Sequence, residues 1–405
     1  MNINSSPKLY PSEATINHVK NLAFNRSVST VGEIEGALYI INELNKENIE
    51  SNTEYFSFIG AKRIFMRITY VILFVYIILY RLLLVLFIYF AVKYLFHKTR
   101  TYSLVENEES KNVIAKIKAK KKNLNKPVVI LSAHFDTFSS NIPYNLQRIF
   151  FFIFKIIILP NFFIILIFFL LTIGGVYSFD KKIIQMNELV ILFTLSEFVL
   201  VGIIFLLIYD NNKSKGSIDN ASGVSILIEL AKLFKKTPLE NYDIIFLWSG
   251  AEEWGLKGSK NFCKRHRSDL SKTYDLDRSF NINIDMVGTY IGLENKNSTP
   301  FKKQKGIFNL NKMLKETASE LNVPLIHYKK ILRTKTDHLS FRSFAKKTKS
   351  SFQVACFHSY KDSKLIHSSR DTPDKCSPEN LNRCMDICYT TIRSIDSMNF
   401  YSEEI

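Results

Sequence analysis

Five short segments of this 405-residue chain set histidine and carboxylate residues beside apolar runs: SAHFDT (His134, Asp136), GSIDNASG (Asp219), WSGAEEWG (Glu252, Glu253), NINIDMVG (Asp285) and LIHSSRDT (His367). Imidazole nitrogens mixed with carboxylate oxygens are the donor set of a hydrolytic zinc site, or of a closely related divalent-metal site. The adjacent Glu252 and Glu253 raise the sharpest question, because neighbouring carboxylates repel and the pair follows directly on the strand-like run YDIIFLW. An isolated Glu-Glu pair is ordinarily a solvated helix start, and an isolated His-x-Asp a loop accident. Five such segments are different: a mostly parallel sheet delivers the residues after its strands to one carboxyl edge, where α/β folds keep their sites.

The elements that must position these residues follow from hydrophobic periodicity. From Asp210 onward the pattern is that of an α/β domain: helix 221–235, strand 242–249, helix 255–266, strand 280–287, helix 308–321, strand 352–357 and helix 378–394. Upstream, residues 14–48 end in a helical pattern with Ile34, Ala37, Leu38, Ile41 and Leu44 on one face, and the strand TEYFSF follows. The stretch KNVIAKIKAKKKNLNKPVVILSAHFDT gives two strand-like runs around a basic turn. Two blocks break this pattern. Ile64 to Phe96 carries only Arg67, Arg81 and Lys93 as charges. Residues 149–209 hold two apolar stretches, one with Lys155 and Pro160 and one with Glu197, separated by the polar link YSFDKKIIQMNE. Each block is long enough for membrane spans, and the second reads as a transmembrane hairpin.

Composition agrees. The chain is 47% hydrophobic with 33 Phe and only 14 Gly, and its net charge of +17 suits an anionic lipid surface. Neither a zinc-finger spacing nor an aromatic-basic RNA-binding signature is present, so nucleic acid is not expected as a partner. Five cysteines without paired CxxC spacing suggest no disulfide framework and no thiolate zinc site. The polar start MNINSSPKLYPSE lacks the pattern of a cleavable signal peptide.

In the order and type of all five segments the chain resembles the di-zinc aminopeptidases of metallopeptidase family twenty-eight, a family that includes relatives of glutamate carboxypeptidase and glutaminyl cyclase. The resemblance covers residues 14–63, 99–148 and 209–405. It implies a mostly parallel mixed sheet sandwiched by helices, here interrupted by transmembrane helical hairpins, and two zinc ions with a peptide substrate. Carried over by motif, it makes His134, Asp219, Glu253, Asp285 and His367 metal ligands, with Asp219 bridging. Asp136 orients the His134 ring, and Glu252 is the general base that takes a proton from the bridging water. His367 in IHSSRDT is preferred to His338 in TDHLSF as the last ligand, and His358 is expected to be a strand-end histidine without a catalytic role. Departures are modest: Thr336 and Ser368 stand where Ser and Thr are common, and Ile366 stands where some members carry a Tyr that helps the oxyanion.

The organisation expected is therefore an N-terminal part of the peptidase domain at 1–63, an apolar membrane segment at 64–98, peptidase sequence with the first metal motif at 99–148, a transmembrane hairpin at 149–209 and the remaining ligands at 210–405. A hairpin returns the chain to its starting side, which the shared site requires, so 64–98 is also expected to double back, near Arg81; the alternative is one long span with Arg81 inside it, which leaves the basic residues nearly even on the two sides. Lys62, Arg63, Lys98, Arg100, Arg148, Lys213 and Lys215 then flank the catalytic side, against Arg81, Lys181 and Lys182 on the other, and the positive-inside bias turns the active site to the cytoplasm. The function expected is a membrane-anchored zinc aminopeptidase acting on N-terminal peptide bonds. A non-catalytic scaffold or receptor on the same fold, a glutaminyl cyclase-like enzyme and a carboxypeptidase are the competing readings.

Overall fold

Three sequence runs, Val128–His134, Asp243–Ser249 and Phe280–Ile284, are buried along their whole length, as strands covered by helices on both faces must be. They form the centre of an eight-stranded sheet in this computed structural model, which describes residues 13–59, 108–122, 125–140, 213–294, 308–328 and 335–398, with Leu146, Ile149, Phe152 and Ile156 besides. In chain order the strands are β1 (Ser51–Phe58), β2 (Glu108–Ile117), β3 (Val128–His134), β4 (Asp243–Ser249), β5 (Phe280–Ile284), β6 (Ile291–Glu294), β7 (Leu325–Tyr328) and β8 (Gln353–Phe357). Their order across the sheet is β1-β2-β4-β3-β5-β8-β6-β7. The run β4-β3-β5-β8 is parallel, whereas β2 joins β4, and β6 joins β8, antiparallel. From β3 the chain passes first to β4 on one side and later to β5 on the other, so β3 sits where the winding reverses.

Side chains alternate across the pleat, which splits the core in two. Val128, Ile130, Ile245 and Leu247 pack with Phe262, Leu270, Phe341 and Phe344 from helices α4 (Lys257–Arg265), α5 (Arg267–Thr273) and α7 (His338–Thr348). On the other face lies α3 (Ser222–Lys236), whose Val224 carbonyl accepts from the Trp248 indole at 3.5 Å. Helices α1 (Ala14–Asn21), α2 (Val31–Asn45) and α8 (Pro378–Ser397) pack on α3, and α6 (Leu310–Glu320) packs on α8. Contacts group residues 1–57, 109–139 and 212–405 into one compact unit and residues 58–108 and 140–211 into another. The first unit leaves and regains the chain at Ser139 and Lys213, where the Lys213 amide donates to the Ser139 hydroxyl at 3.0 Å.

Two sequence expectations are corrected. The buried face of α2 is Glu33, Gly36, Ala37, Ile40, Glu43 and Leu44, while Ile34 and Leu38 are exposed. The more polar face turns inward because its polar groups are satisfied there. Glu33 accepts from Ser29 and Ser110, Glu43 accepts from Lys232 at 2.9 Å, and a side chain at Gly36 would strike Arg26. The strand expected at 280–287 stops at Ile284: the Asp285 amide still donates to the Phe357 carbonyl of β8 at 3.0 Å, but Met286 takes a positive φ of 72° and ends the extended run there. β6, β7, α5 and α7 were not anticipated. Among the described residues no helix is long and apolar enough to cross a membrane. The hairpins expected at 64–98 and 149–209 lie outside the described residues, apart from Ile149, Phe152 and Ile156.

Candidate metal centre

The carboxyl ends of β3, β4 and β5 each release a polar residue into one space. His134 is the last residue of β3, Glu252 and Glu253 follow β4, and Asp285 follows β5. Asp219, in the turn Ser217–Ala221 that leads into α3, faces all of them. Its Oδ1 lies 3.0 Å from His134 Nε2, and its Oδ2 lies 3.3 Å from His367 Nε2. Asp285 Oδ1 is 3.7 Å from the first imidazole, and Glu253 Oε1 is 2.9 Å from the second. Two donor sets result, His134/Asp219/Asp285 and Asp219/Glu253/His367, each with its atoms within 4.8 Å of one another and with Asp219 common to both.

Backbone hydrogen bonds hold the set. The Asp136 carboxylate accepts from the amides of Glu252 at 2.9 Å and Glu253 at 3.2 Å, which fixes the turn carrying both glutamates. Its approach to His134 Nδ1 is longer, 3.5 Å, than that of its own carbonyl, 3.2 Å, so the ring is oriented by the backbone as much as by the carboxylate. Asp371 accepts from the amides of Ile218 at 2.6 Å and Asp219 at 3.3 Å. Asn220 accepts from the amides of Gly223 and Met286 and donates to the Ile284 carbonyl at 2.9 Å, tying the Asp219 turn to the end of β5. A Cβ at Gly223 would stand 2.3 Å from that same carbonyl, so only glycine allows the approach. Ala251, Met286 and His367 all have positive φ, 52°, 72° and 56°, a conformation that L-residues hold only where the surroundings enforce it.

Arg26 is a positioning residue that the sequence did not reveal. It is fully buried, and its guanidinium donates to the carbonyls of Leu22, Phe24 (3.0 Å), Phe135 (2.7 Å), Lys215 (3.2 Å) and Gly216 (2.9 Å). It thereby clamps together the segment after His134 and the segment before Asp219. Burial lowers its pKa to about 10, against the pull of Asp371, Asp136 and Asp219. An arginine in the polar stretch FNRSVST carries no local mark of this role.

The electrostatics are those of crowded buried carboxylates. Burial, followed by the Asp219 charge, pushes Glu253 up to about 7 against His367. Glu252 is driven well above the usual carboxylate range by burial, with Glu253, Asp285 and Asp337 adding to it and His134 opposing. Burial resists a charge on His367 most strongly, yet Glu253 and Asp219 raise it to about 10. His134 likewise lies well above its ordinary value, where Glu252, Asp136, Asp219 and Asp285 outweigh burial. Asp219, despite burial, is held far below the usual range by the two imidazoles.

These residues fit a pair of divalent cations. With neutral imidazoles, Asp219, Glu252, Glu253 and Asp285 bring four negative charges into one buried space, which two divalent ions balance. The Oε1 atom of Glu252 is buried without a hydrogen-bond partner among the described residues, as suits a group reserved for a reactant. Of the other histidines, His327 is exposed on β7, and His338 joins Glu294 and Cys356 instead. His358 does stand at a strand end, but its Nδ1 is 3.0 Å from the Asp285 carbonyl and 3.8 Å from Asp285 Oδ1, so it touches the centre from behind. Phe138 meets His367 edge-on at 5.3 Å and Trp254 at 6.1 Å, lining the centre with half-buried aromatic surface.

Residues 204–392 match the model of Peptidase family M28. A 77-residue stretch is 43% identical to aminopeptidase YwaD of Bacillus subtilis (strain 168), covering 19% of this chain and 16% of that relative's length. The fold is similar to that of BSAP, a zinc aminopeptidase from Bacillus subtilis, with a TM-score of 0.56 at 13% identity over 96% of each chain. It is also similar to that of a glutaminyl cyclase from an Acidobacteriales bacterium, with a TM-score of 0.55 at 16% identity over 98% of each chain.

Proposed function

We propose that this chain, which carries a Peptidase family M28 domain over residues 204–392, is a zinc-dependent aminopeptidase. The observation that carries the reading is Asp219, whose two oxygens face two different imidazoles inside one carboxylate cluster. His134, Asp219 and Asp285 would hold one zinc ion, and Asp219, Glu253 and His367 the other. When bound, the pair supplies Lewis acidity toward a peptide carbonyl and lowers the pKa of a water molecule. Glu252 takes a proton at Oε1 from the attacking water and passes it to the leaving amine, a role that suits a buried oxygen without a hydrogen-bond partner among the described residues. Asp136 keeps Glu252 and Glu253 in their separate positions through their amides. Phe138 and Trp254 favour substrates with an apolar first residue.

Hydrolysis of aminoacyl-nitroanilides by the zinc-loaded full chain, with Glu252→Gln beside it, tests this reading. Activity in the wild type that is lost in the variant supports it. Failure on every aminoacyl substrate, with cyclisation of N-terminal glutamine, would transfer the site to the cyclase reading that the second fold likeness supports. A chain that retains no zinc after loading and turns over none of these substrates would favour the scaffold.

The same reading places the enzyme at a membrane, anchored by the apolar runs at 64–98 and 149–209 with its catalytic unit toward the cytoplasm. The support is the composition of those runs and the basic residues flanking them, together with the exposure of Leu146, Ile149, Phe152 and Ile156. A C-terminal tag that antibody reaches only after cells are permeabilised is the expected result, and a tag accessible on intact cells contradicts that orientation.

A further inference from the structure

The histidine that the metal centre leaves aside belongs to a second cluster. Glu294 closes β6, Cys356 lies on β8, and His338 opens α7 above them. The antiparallel register pairs Leu293 with Phe357, which sets Glu294 across from Cys356 one position further along. All three side chains are buried, and their donor atoms lie within 4.8 Å of one another. His338 Nε2 is 3.5 Å from Glu294 Oε2, and its Nδ1 is engaged by the Thr336 hydroxyl. The other oxygen of Glu294 faces Arg342 Nη1 at 3.9 Å, and Cys356 Sγ receives the Asn283 amide at 3.8 Å. Each donor thus has an outer partner that fixes its direction, the arrangement by which proteins orient metal ligands.

We propose that Glu294, His338 and Cys356 form a separate mononuclear site for a divalent cation of the zinc or cobalt class. Sulfur, nitrogen and oxygen donors together select a borderline-soft ion and reject magnesium or calcium. A thiolate, a carboxylate and a neutral imidazole carry two negative charges, which Arg342 at 3.9 Å offsets only in part, so the buried set favours a cation. A metal-bound thiol is deprotonated, so binding releases a proton from sulfur and weakens as pH falls. Such an ion ties β6, β8 and the first turn of α7 together. That turn begins beside Asp337, whose carboxylate accepts from Ser249 at the end of β4. None of the three donors belongs to the cluster around Asp219, and the inference stands apart from the peptidase reading.

Cobalt(II) titration of the stripped full chain reads the site directly, because sulfur-to-cobalt charge transfer absorbs in the near ultraviolet and the Asp219 cluster has no sulfur donor. We expect the saturated band to have the intensity of one sulfur-ligated cobalt per chain. Cys356→Ser should abolish it and lower total bound metal by one ion per chain, while Glu294→Gln should shift its titration to higher cobalt. In wild-type protein as purified, zinc-edge X-ray absorption should show a sulfur neighbour at about 2.3 Å, an arm that requires no variant to fold. The proposal fails if wild-type protein binds cobalt without the band. It also fails if the band survives Cys356→Ser, which would assign it to another thiol such as Cys384 or Cys388, or if the zinc edge shows only nitrogen and oxygen.

Discussion

Strand β4 meets buried carboxylates at both ends, and the two ends are built in opposite ways. At its start, Asp243 is 2% exposed and surrounded by partners: Lys126 Nζ at 2.6 Å, Lys116 Nζ at 3.2 Å, the Ala119 amide at 2.8 Å and the Tyr274 hydroxyl at 2.9 Å. Burial alone would raise its pKa, but these partners bring it below the usual value. Just past the other end, Glu252 and Glu253 have carboxylates for neighbours, and both are raised. The first end is satisfied by the chain itself and stabilises the fold. The second sets its carboxylates only against the imidazoles of His134 and His367, whose own values are raised in turn, so it costs stability.

The largest expected effect comes from neutralising the second end. Glu252→Gln should lower kcat by roughly 10²- to 10⁴-fold with bound metal unchanged, and the stripped variant should be no less stable than wild type. Unaltered kcat, or lost metal, would break the contrast. Glu33 sharpens it, a buried carboxyl outside the centre held by the Ser110 hydroxyl and the Ser29 amide, with the Lys111 charge a lesser influence. Burial above all raises it to about 7, so the folded state prefers its protonated form. The associated stability is complete below about pH 4.5 and is lost as pH rises through 7, a swing of up to about 3 kcal/mol. Urea unfolding at pH 5 and pH 8 should show this slope in wild type, with its Glu33 share absent in Glu33→Gln, whose amide can still serve Ser29 and Ser110.

Gly223→Ala wedges a methyl between the Asp219 turn and the end of β5. It should cost about 2 kcal/mol and weaken metal retention at the same time, measurable by melting and by metal analysis after dialysis. The smallest effect belongs to the satisfied end. Asp243→Asn keeps an acceptor for Ala119 but loses its charge toward two partly exposed lysines, for about 1 kcal/mol, with kcat/KM unchanged. In wild type the contribution of Asp243 is present above its ordinary value of 3.8 and fades as pH falls through the lowered folded value. An Asp243→Asn enzyme with impaired catalysis would show that the two ends are not independent.

The residues around Asp219 were legible because each sits in a short local signature beside an apolar run, and strand ends deliver such residues to one edge. What was not legible depends on partners far away in sequence. Arg26 acts through Phe135 and Gly216, more than a hundred positions later. His358 gains meaning only from the β5–β8 pairing that sets it against Asp285. The face of α2 was misread because apolar content pointed to Ile34 and Leu38, whereas Arg26, Lys232 and Ser110 satisfy the polar residues of the opposite face. The end of β5 was misplaced because Met286 gives no sign in the sequence of its positive φ.

The hydrogen bond between Lys213 and Ser139 has a consequence in the statistics of chain closure. Residues 140–212 leave the domain and return to it at adjoining points. For a flexible segment the entropy of closing such a loop grows only with the logarithm of its length, so extending a loop from about 20 to about 80 residues costs roughly 1.2 kcal/mol. The domain would therefore lose little stability to the length of a flexible segment grafted between those two feet. Grafting such a segment is a matter of matching its endpoints, and the residues of the candidate centre on either side need not be redesigned.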